Sequence, residues 1–160
     1  QGWRWIVVED AATRSRLADI YRRAGGDLLQ RSYENAQDDK TRRVYQSAVE
    51  FMDRLADVPL HVIPCIQGGI PEGASNVRLA ALYGSIFPAV WSFQLALRSR
   101  GLGTVLTTVH LFQEEETAEL LGIPSDIMQV GLLPVAYTTG GEWSPTGRPP
   151  VETIVHFDRW

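Results

Sequence analysis

Ser85-Ile86-Phe87-Pro88-Ala89-Val90-Trp91-Ser92-Phe93-Gln94-Leu95-Ala96-Leu97-Arg98-Ser99-Arg100-Gly101-Leu102-Gly103-Thr104 is the stretch on which the fold turns. Its first half is an apolar helix that begins near residue 77 or 86 and ends at Arg100, with Pro88 at its start or as a kink. Gly101 stops it, and residues 102–108 then read as a strand. The Gly101-Leu102-Gly103 turn begins like a dinucleotide fingerprint. It nevertheless lacks the third glycine and leaves a helix for a strand, the reverse of the order that chemistry requires.

Upstream, Trp3-Arg4-Trp5-Ile6-Val7-Val8 is crowded with aromatic and β-branched residues and reads as a strand. Asp10 caps a helix over residues 11–24, which Gly25-Gly26 is expected to close in the left-handed conformation. Residues 28–40 are loop or frayed helix. Val44, Ala48, Met52 and Leu55 mark a second amphipathic helix over residues 41–56. Leu60-His61-Val62-Ile63-Pro64-Cys65-Ile66 is a largely buried strand in which Pro64 favours an edge or a bulge. Residues 67–75 are loop. Downstream come an acidic-first helix over 113–121 capped by Gly122, a strand over 128–137, a Gly/Pro loop over 139–150 and a last short strand over 153–157. No repeat or interdomain linker divides residues 1–160, which read as one α+β domain.

Composition narrows the function. Fifteen Lys plus Arg against nineteen Asp plus Glu leave a net charge of −4, which argues against a general nucleic-acid partner. Apolar stretches look too short for a bilayer span and no signal peptide opens the chain, so no membrane partner and a cytoplasmic location are expected. The single cysteine, Cys65, forms no internal disulfide, supports no zinc site alone, and reads as a small buried hydrophobe. His61, His110 and His156 are widely spaced and read as structural, with no metal expected. There is no P-loop, and Ser85 lacks the second glycine of a nucleophile elbow. A chain without its own nucleophile or metal can borrow its chemistry from a cofactor.

Four motifs in order resemble the FMN-dependent nitroreductase family: the 85–104 run, Leu120-Leu121-Gly122-Ile123-Pro124, Gly131-Leu132-Leu133-Pro134-Val135-Ala136-Tyr137 and Gly147-Arg148-Pro149-Pro150-Val151-Glu152. The opening Gln1-Gly2-Trp3-Arg4-Trp5 is similar to the end of that family's N-x-Q-x-W-x-F strand entry. The resemblance implies an α+β sandwich, its central mixed or antiparallel sheet flanked by helices, in an intertwined homodimer with FMN at the subunit interface. It also implies NADH or NADPH as donor and nitroaromatics, quinones or similar small molecules as acceptors, by a ping-pong mechanism. The flavin performs the chemistry, so no catalytic side chain is expected.

By the same resemblance Arg148 binds the FMN phosphate, Pro88 and Ala89 pack on the ring, and Gln1 lies near its pyrimidine edge. A backbone amide of Thr107, Thr108 or Val109 faces flavin N5. The family's arginine-rich first helix has no counterpart here, so the sequence is read as N-terminally truncated. Two other readings remain: a flavin-free dimeric ligand-binding or interaction module on the same scaffold, and a non-nitro flavin reaction such as reductive dehalogenation. The apolar C-terminus, Ile154-Val155-His156-Phe157 and then Trp160, is expected to pack on a partner subunit, the alternative being its own core.

Overall fold

The buried apolar run of residues 60–66 becomes the central strand of the sheet, β2 (Leu60–Gln67), with residues 61–66 all buried. A strand that is apolar on both faces needs cover on both, and the computed structural model, which describes residues 2–70, 73–140 and 147–160, supplies it. On one edge of β2 lies β1 (Trp3–Val8), in a register that sets Trp5 opposite Pro64 and Val8 opposite His61. On the other edge β4 (Ile127–Gln129) and β5 (Leu133–Tyr137) pair in succession, and β3 (Leu102–Thr104) adds to β5. Every pairing is antiparallel.

The strand expected over residues 128–137 is thus two strands. Between the pairs Val62–Leu133 and Cys65–Gln129, two residues of β2 face three of the other strand, Val130, Gly131 and Leu132. This is a β-bulge. It falls where Pro64 has no N–H to offer, although the Pro64 carbonyl still accepts from Val130 N at 3.0 Å. The bulge turns Leu132 outward from the β2 ladder to exchange both backbone hydrogen bonds with Thr107, at 3.0 and 2.8 Å. The strand read over residues 102–108 ends at Thr104 for the same reason: beyond it only Thr107 pairs.

One face of the sheet carries α1 (Ala11–Glu34) and α2 (Asp39–Arg54). Val8, Ile63, Cys65 and Leu132 of the sheet side pack there with Leu17, Ala18, Tyr21, Met52 and Leu55. The other face carries α3 (Asn76–Arg98), whose Ile86, Val90 and Leu97 meet Val62, Ile66, Leu133 and Val135. A short α4 (Glu114–Leu121) follows, ended by Gly122 at φ 65°, the left-handed cap read from sequence.

Asp10 accepts from Thr13 N at 2.7 Å and Asp38 from Thr41 N at 2.8 Å, so the same Asp-x-x-Thr device starts α1 and α2. Gly25-Gly26 does not close α1, which runs ten residues past position 24. The pair serves packing instead. A Cβ on Gly25 would collide with Val109 Cγ1, and one on Gly26 would press Met52 Sδ at 3.3 Å. The expected strand over 153–157 is absent as well: Val151–Thr153 form a 3-10 turn, and no described strand pairs with residues 154–160. Every residue from 151 to 160 is exposed, with Phe157 at 85% and Trp160 at 99%, so this arm does not pack on its own core. By length and hydropathy α3 could cross a membrane, contrary to the sequence reading, but one of its faces is already bound to the sheet.

Candidate functional site

The turn after β3 gathers the sequence-predicted donors. Thr107 is fixed by its backbone exchange with Leu132, and its hydroxyl shares a 2.8 Å hydrogen bond with Tyr21 Oη of α1. The Thr107 amide is therefore already committed to Leu132 O. Residues Val109–Gln113 form a 3-10 turn, and Leu111 N donates to Thr108 O at 3.0 Å. The amides of Thr108 and Val109 stand at its open N-terminal end, where no carbonyl of the turn can reach them. Thr108 is exposed and Val109 half-buried, and neither amide donates a backbone hydrogen bond among the described residues, so two adjacent backbone donors stand uncommitted at this corner.

The backing is dry. Tyr21 is buried, its ring set edge-to-face on Phe51 at 6.5 Å, and burial raises its phenol pKa. His110 is wholly buried beneath the corner, and neither ring nitrogen has a partner among the described residues. Burial pushes its pKa down to about 4, so it is neutral at pH 7. His61 has one partnered ring nitrogen, Nε2 lying 2.9 Å from Leu55 O, while its buried Nδ1 finds no partner among the described residues. His156 stacks on Trp160 in the exposed arm. Burial likewise raises the Cys65 thiol to about 11, consistent with an inert small hydrophobe. Among the described residues no three His, Cys, Asp or Glu side chains cluster as metal ligands would.

Pro88 and Ala89 lie elsewhere. Pro88 is exposed on α3 and Ala89 half-buried, on the opposite face of the sheet from α1 and the Thr107 corner. Pro88 belongs to a stripe of exposed residues, Val77, Ala81, Gly84, Pro88, Trp91 and Leu95, at successive spacings of four and three. Val77 is 78% exposed and Trp91 62%. Arg148 is exposed in the C-terminal arm and makes no ion pair with a described residue. Gln1 lies outside the described residues. A single protomer thus brings Thr107, Thr108 and Val109 together and keeps Pro88 and Ala89 on the other layer.

Two cavities went unread in the sequence. An apolar groove of about 530 Å³ runs along the α3 face of the sheet between Trp5, Val7, Leu60, Phe93, Leu97 and Tyr137, with the Trp5 and Phe93 rings 5.3 Å apart. A polar cleft of about 470 Å³ separates α1 from α4, bridged by Arg23 and Glu116 at 2.5 Å.

The profile of the nitroreductase family matches residues 1–137. The chain belongs to the nitroreductase family. Solved structures of similar fold agree. Iodotyrosine deiodinase bound to FMN and 3-iodo-L-tyrosine superposes with a TM-score of 0.68 at 21% identity, over 99% of this chain and 77% of that one. A BluB-like flavoprotein from Clostridium difficile 630 gives 0.65 at 18%, over 99% and 80%. The NADPH:FMN oxidoreductase from Vibrio harveyi, complexed with NAD+, gives 0.64 at 18%, over all of this chain and 60% of that one. At these identities the likeness is one of fold, and it assigns this nitroreductase-family chain the antiparallel α+β architecture described above.

Tyr21, Gly25 and Gly131 are the site residues that sequence reading missed. Gly25 left a signal, because the helical pattern of apolar residues resumes beyond it at Leu28 and Leu29. Gly131 left none: a Cβ there would stand 2.5 Å from Leu106 Cδ1 and 3.4 Å from Thr107 O, a constraint visible only once the bulge is known.

Proposed function

We propose that this chain is an FMN-dependent oxidoreductase that passes electrons from NADH or NADPH to nitroaromatic, quinone or similar small acceptors. The observation that carries the reading is the pair of open amides at Thr108 and Val109, held on a buttressed turn in a nitroreductase-family fold. The residues present fit such a group. A flat ring with an electron-rich nitrogen at its edge needs a fixed N–H donor, and backbone amides at a turn provide one without an ionisable side chain. Arg148, uncommitted to any described acid, suits a phosphate by bidentate hydrogen bonding. Bound FMN would supply the hydride and electron transfer, while the protein holds, orients and desolvates it.

A homodimer is part of the same proposal. The chain exposes 10941 Å², against about 8,000 Å² for a globular monomer of 17.9 kDa. The surplus is well above the roughly 800 Å² that each partner buries in a standard interface. The α3 stripe and the apolar arm, with Val77, Trp91, Phe157 and Trp160 all exposed, are features a second copy would cover. A second copy would also reconcile the two halves of the site, since Pro88 and Ala89 of one protomer could then approach the Thr108 corner of the other. The donor and the acceptor would take turns at one ring face, giving parallel lines in double-reciprocal plots.

Titration with FMN, followed by visible absorbance and flavin fluorescence, tests the cofactor. Anaerobic addition of NADH or NADPH, then of a nitroaromatic, a quinone or 3-iodo-L-tyrosine, tests the chemistry and separates nitro or quinone reduction from dehalogenation by product. Flavin bleaching by the nicotinamide and recovery with a nitro or quinone acceptor is the expected result. Intersecting kinetic lines, or no flavin binding, would overturn the reading.

A further inference from the structure

We infer that Tyr21 and Gly25 of α1 are positioning residues for the Thr108 and Val109 amides, and through them for the cofactor's ring edge. The inference rests on the flavin reading above and extends it to residues eighty or more positions away in sequence.

Four contacts hold the corner. Two are independent of α1's side chains: the paired backbone bonds from Thr107 to Leu132. These fix where residue 107 sits but leave the chain free to swivel about it toward 108 and 109. The other two remove that freedom from the α1 side. Tyr21 Oη meets Thr107 Oγ1 at 2.8 Å, and the Tyr21 ring cannot follow a moving turn because it is buried and braced on Phe51. One helical turn further along α1, Gly25 lets the backbone approach until Val109 Cγ1 occupies the space a Cβ would need. Tyr21 and Gly25 lie four residues apart, hence on one face of α1, and grip residues 107 and 109 on either side of Thr108.

An alanine at Gly25 would favour the helix by intrinsic propensity, about 1 kcal/mol over glycine in a helix interior. Gly25 therefore stands against local preference, and the three nearest atoms a Cβ would meet there all belong to Val109. Two ties from one helix on alternate residues of the donor turn fit a positioning role, whereas filling a core would need neither the hydroxyl nor the missing Cβ.

The test uses the cofactor-free and FMN-loaded protein. Tyr21→Phe, Thr107→Val and their double variant are compared by hydrogen exchange at the Thr107 amide, by the 1H–15N shifts of Thr108 and Val109, and by the Kd for FMN. Val62→Ala, in the core on the other face of the sheet, serves as a control for general destabilisation. Each single variant should speed Thr107 exchange and weaken FMN binding about fivefold, the worth of one lost hydrogen bond. The double variant should do no more than either single, because both remove the same bond. Gly25→Ala should move the Val109 amide shift and weaken FMN binding, and the added change Val109→Ala should restore both by vacating the space. Additive effects in the double variant, or an effect of Val62→Ala equal to that of Tyr21→Phe, would overturn the positioning role. Normal FMN binding with unchanged Thr107 exchange in Tyr21→Phe would overturn the clamp alone. If the unaltered protein does not bind FMN, the cofactor reading falls and takes the ring-facing role with it, whatever the exchange data show.

Discussion

Replacing His110 by leucine should flatten the acid dependence of stability in a defined window. His110 is fully buried, its two ring nitrogens find no partner among the described residues, and its pKa is pushed from 6.5 down to about 4. Above pH 6.5 the imidazole is neutral in both folded and unfolded chains, and pH has no leverage through it. Between 6.5 and 4 the unfolded chain takes up a proton that the native fold refuses, so stability falls as pH falls. The depressed native value thus makes this contribution fully present above pH 6.5 and lost on acidification, reaching about 3 kcal/mol near pH 4 and levelling off below. Urea unfolding of the unaltered protein and of His110→Leu at pH 7.5, 6, 5 and 4 measures it. Leucine at this site titrates nothing and leaves no unpaired nitrogen, so the variant should match or exceed the parent at pH 7.5. Its advantage should then widen by about 3 kcal/mol toward pH 4. His61 is also lowered by burial, but it is present in both proteins and cancels in the comparison. A constant difference at all four pH values, or an imidazole signal for His110 titrating near 6.5, would refute the reasoning.

The bulge makes Gly131→Ala costly: the added methyl meets Leu106 at 2.5 Å and should lower stability by about 1–3 kcal/mol in urea. Leu55→Ala empties a fully buried position under α1 and should cost about 2–5 kcal/mol by the same measurement. Cys65 should react with a thiol reagent only after denaturation at pH 8, as its buried thiol is raised to about 11. Removing residues 153–160, an exposed apolar arm, should turn a dimer into monomer or aggregate by light scattering, while an unchanged dimer would count against its role.

The layers of the fold were legible because β2 is apolar from Val62 to Ile66 and α2 and α4 carry clear helical stripes and stops. What misled was always a residue whose reason lies in a distant neighbour. Gly25-Gly26 has the composition of a cap, but the space it vacates belongs to Val109 and Met52. Residues 153–157 have strand composition, but no described strand pairs with them and they stay exposed. Residues 128–137 look like one strand until Pro64 forces a bulge opposite. At the site, Thr107 to Val109 could be singled out by resemblance, yet nothing local shows that the Thr107 amide is spent on Leu132 while its two successors are open. The Tyr21–Thr107 bond joins positions 86 residues apart and leaves no periodic trace.

The most direct test of the account is the dissociation constant for FMN of the purified protein, measured by fluorescence quenching with the oligomeric state monitored in parallel. The account predicts saturable binding at one FMN per protomer in a dimeric protein, weakened by Arg148→Ala and by Tyr21→Phe. A dimer or monomer that leaves flavin fluorescence unquenched at every concentration would contradict it.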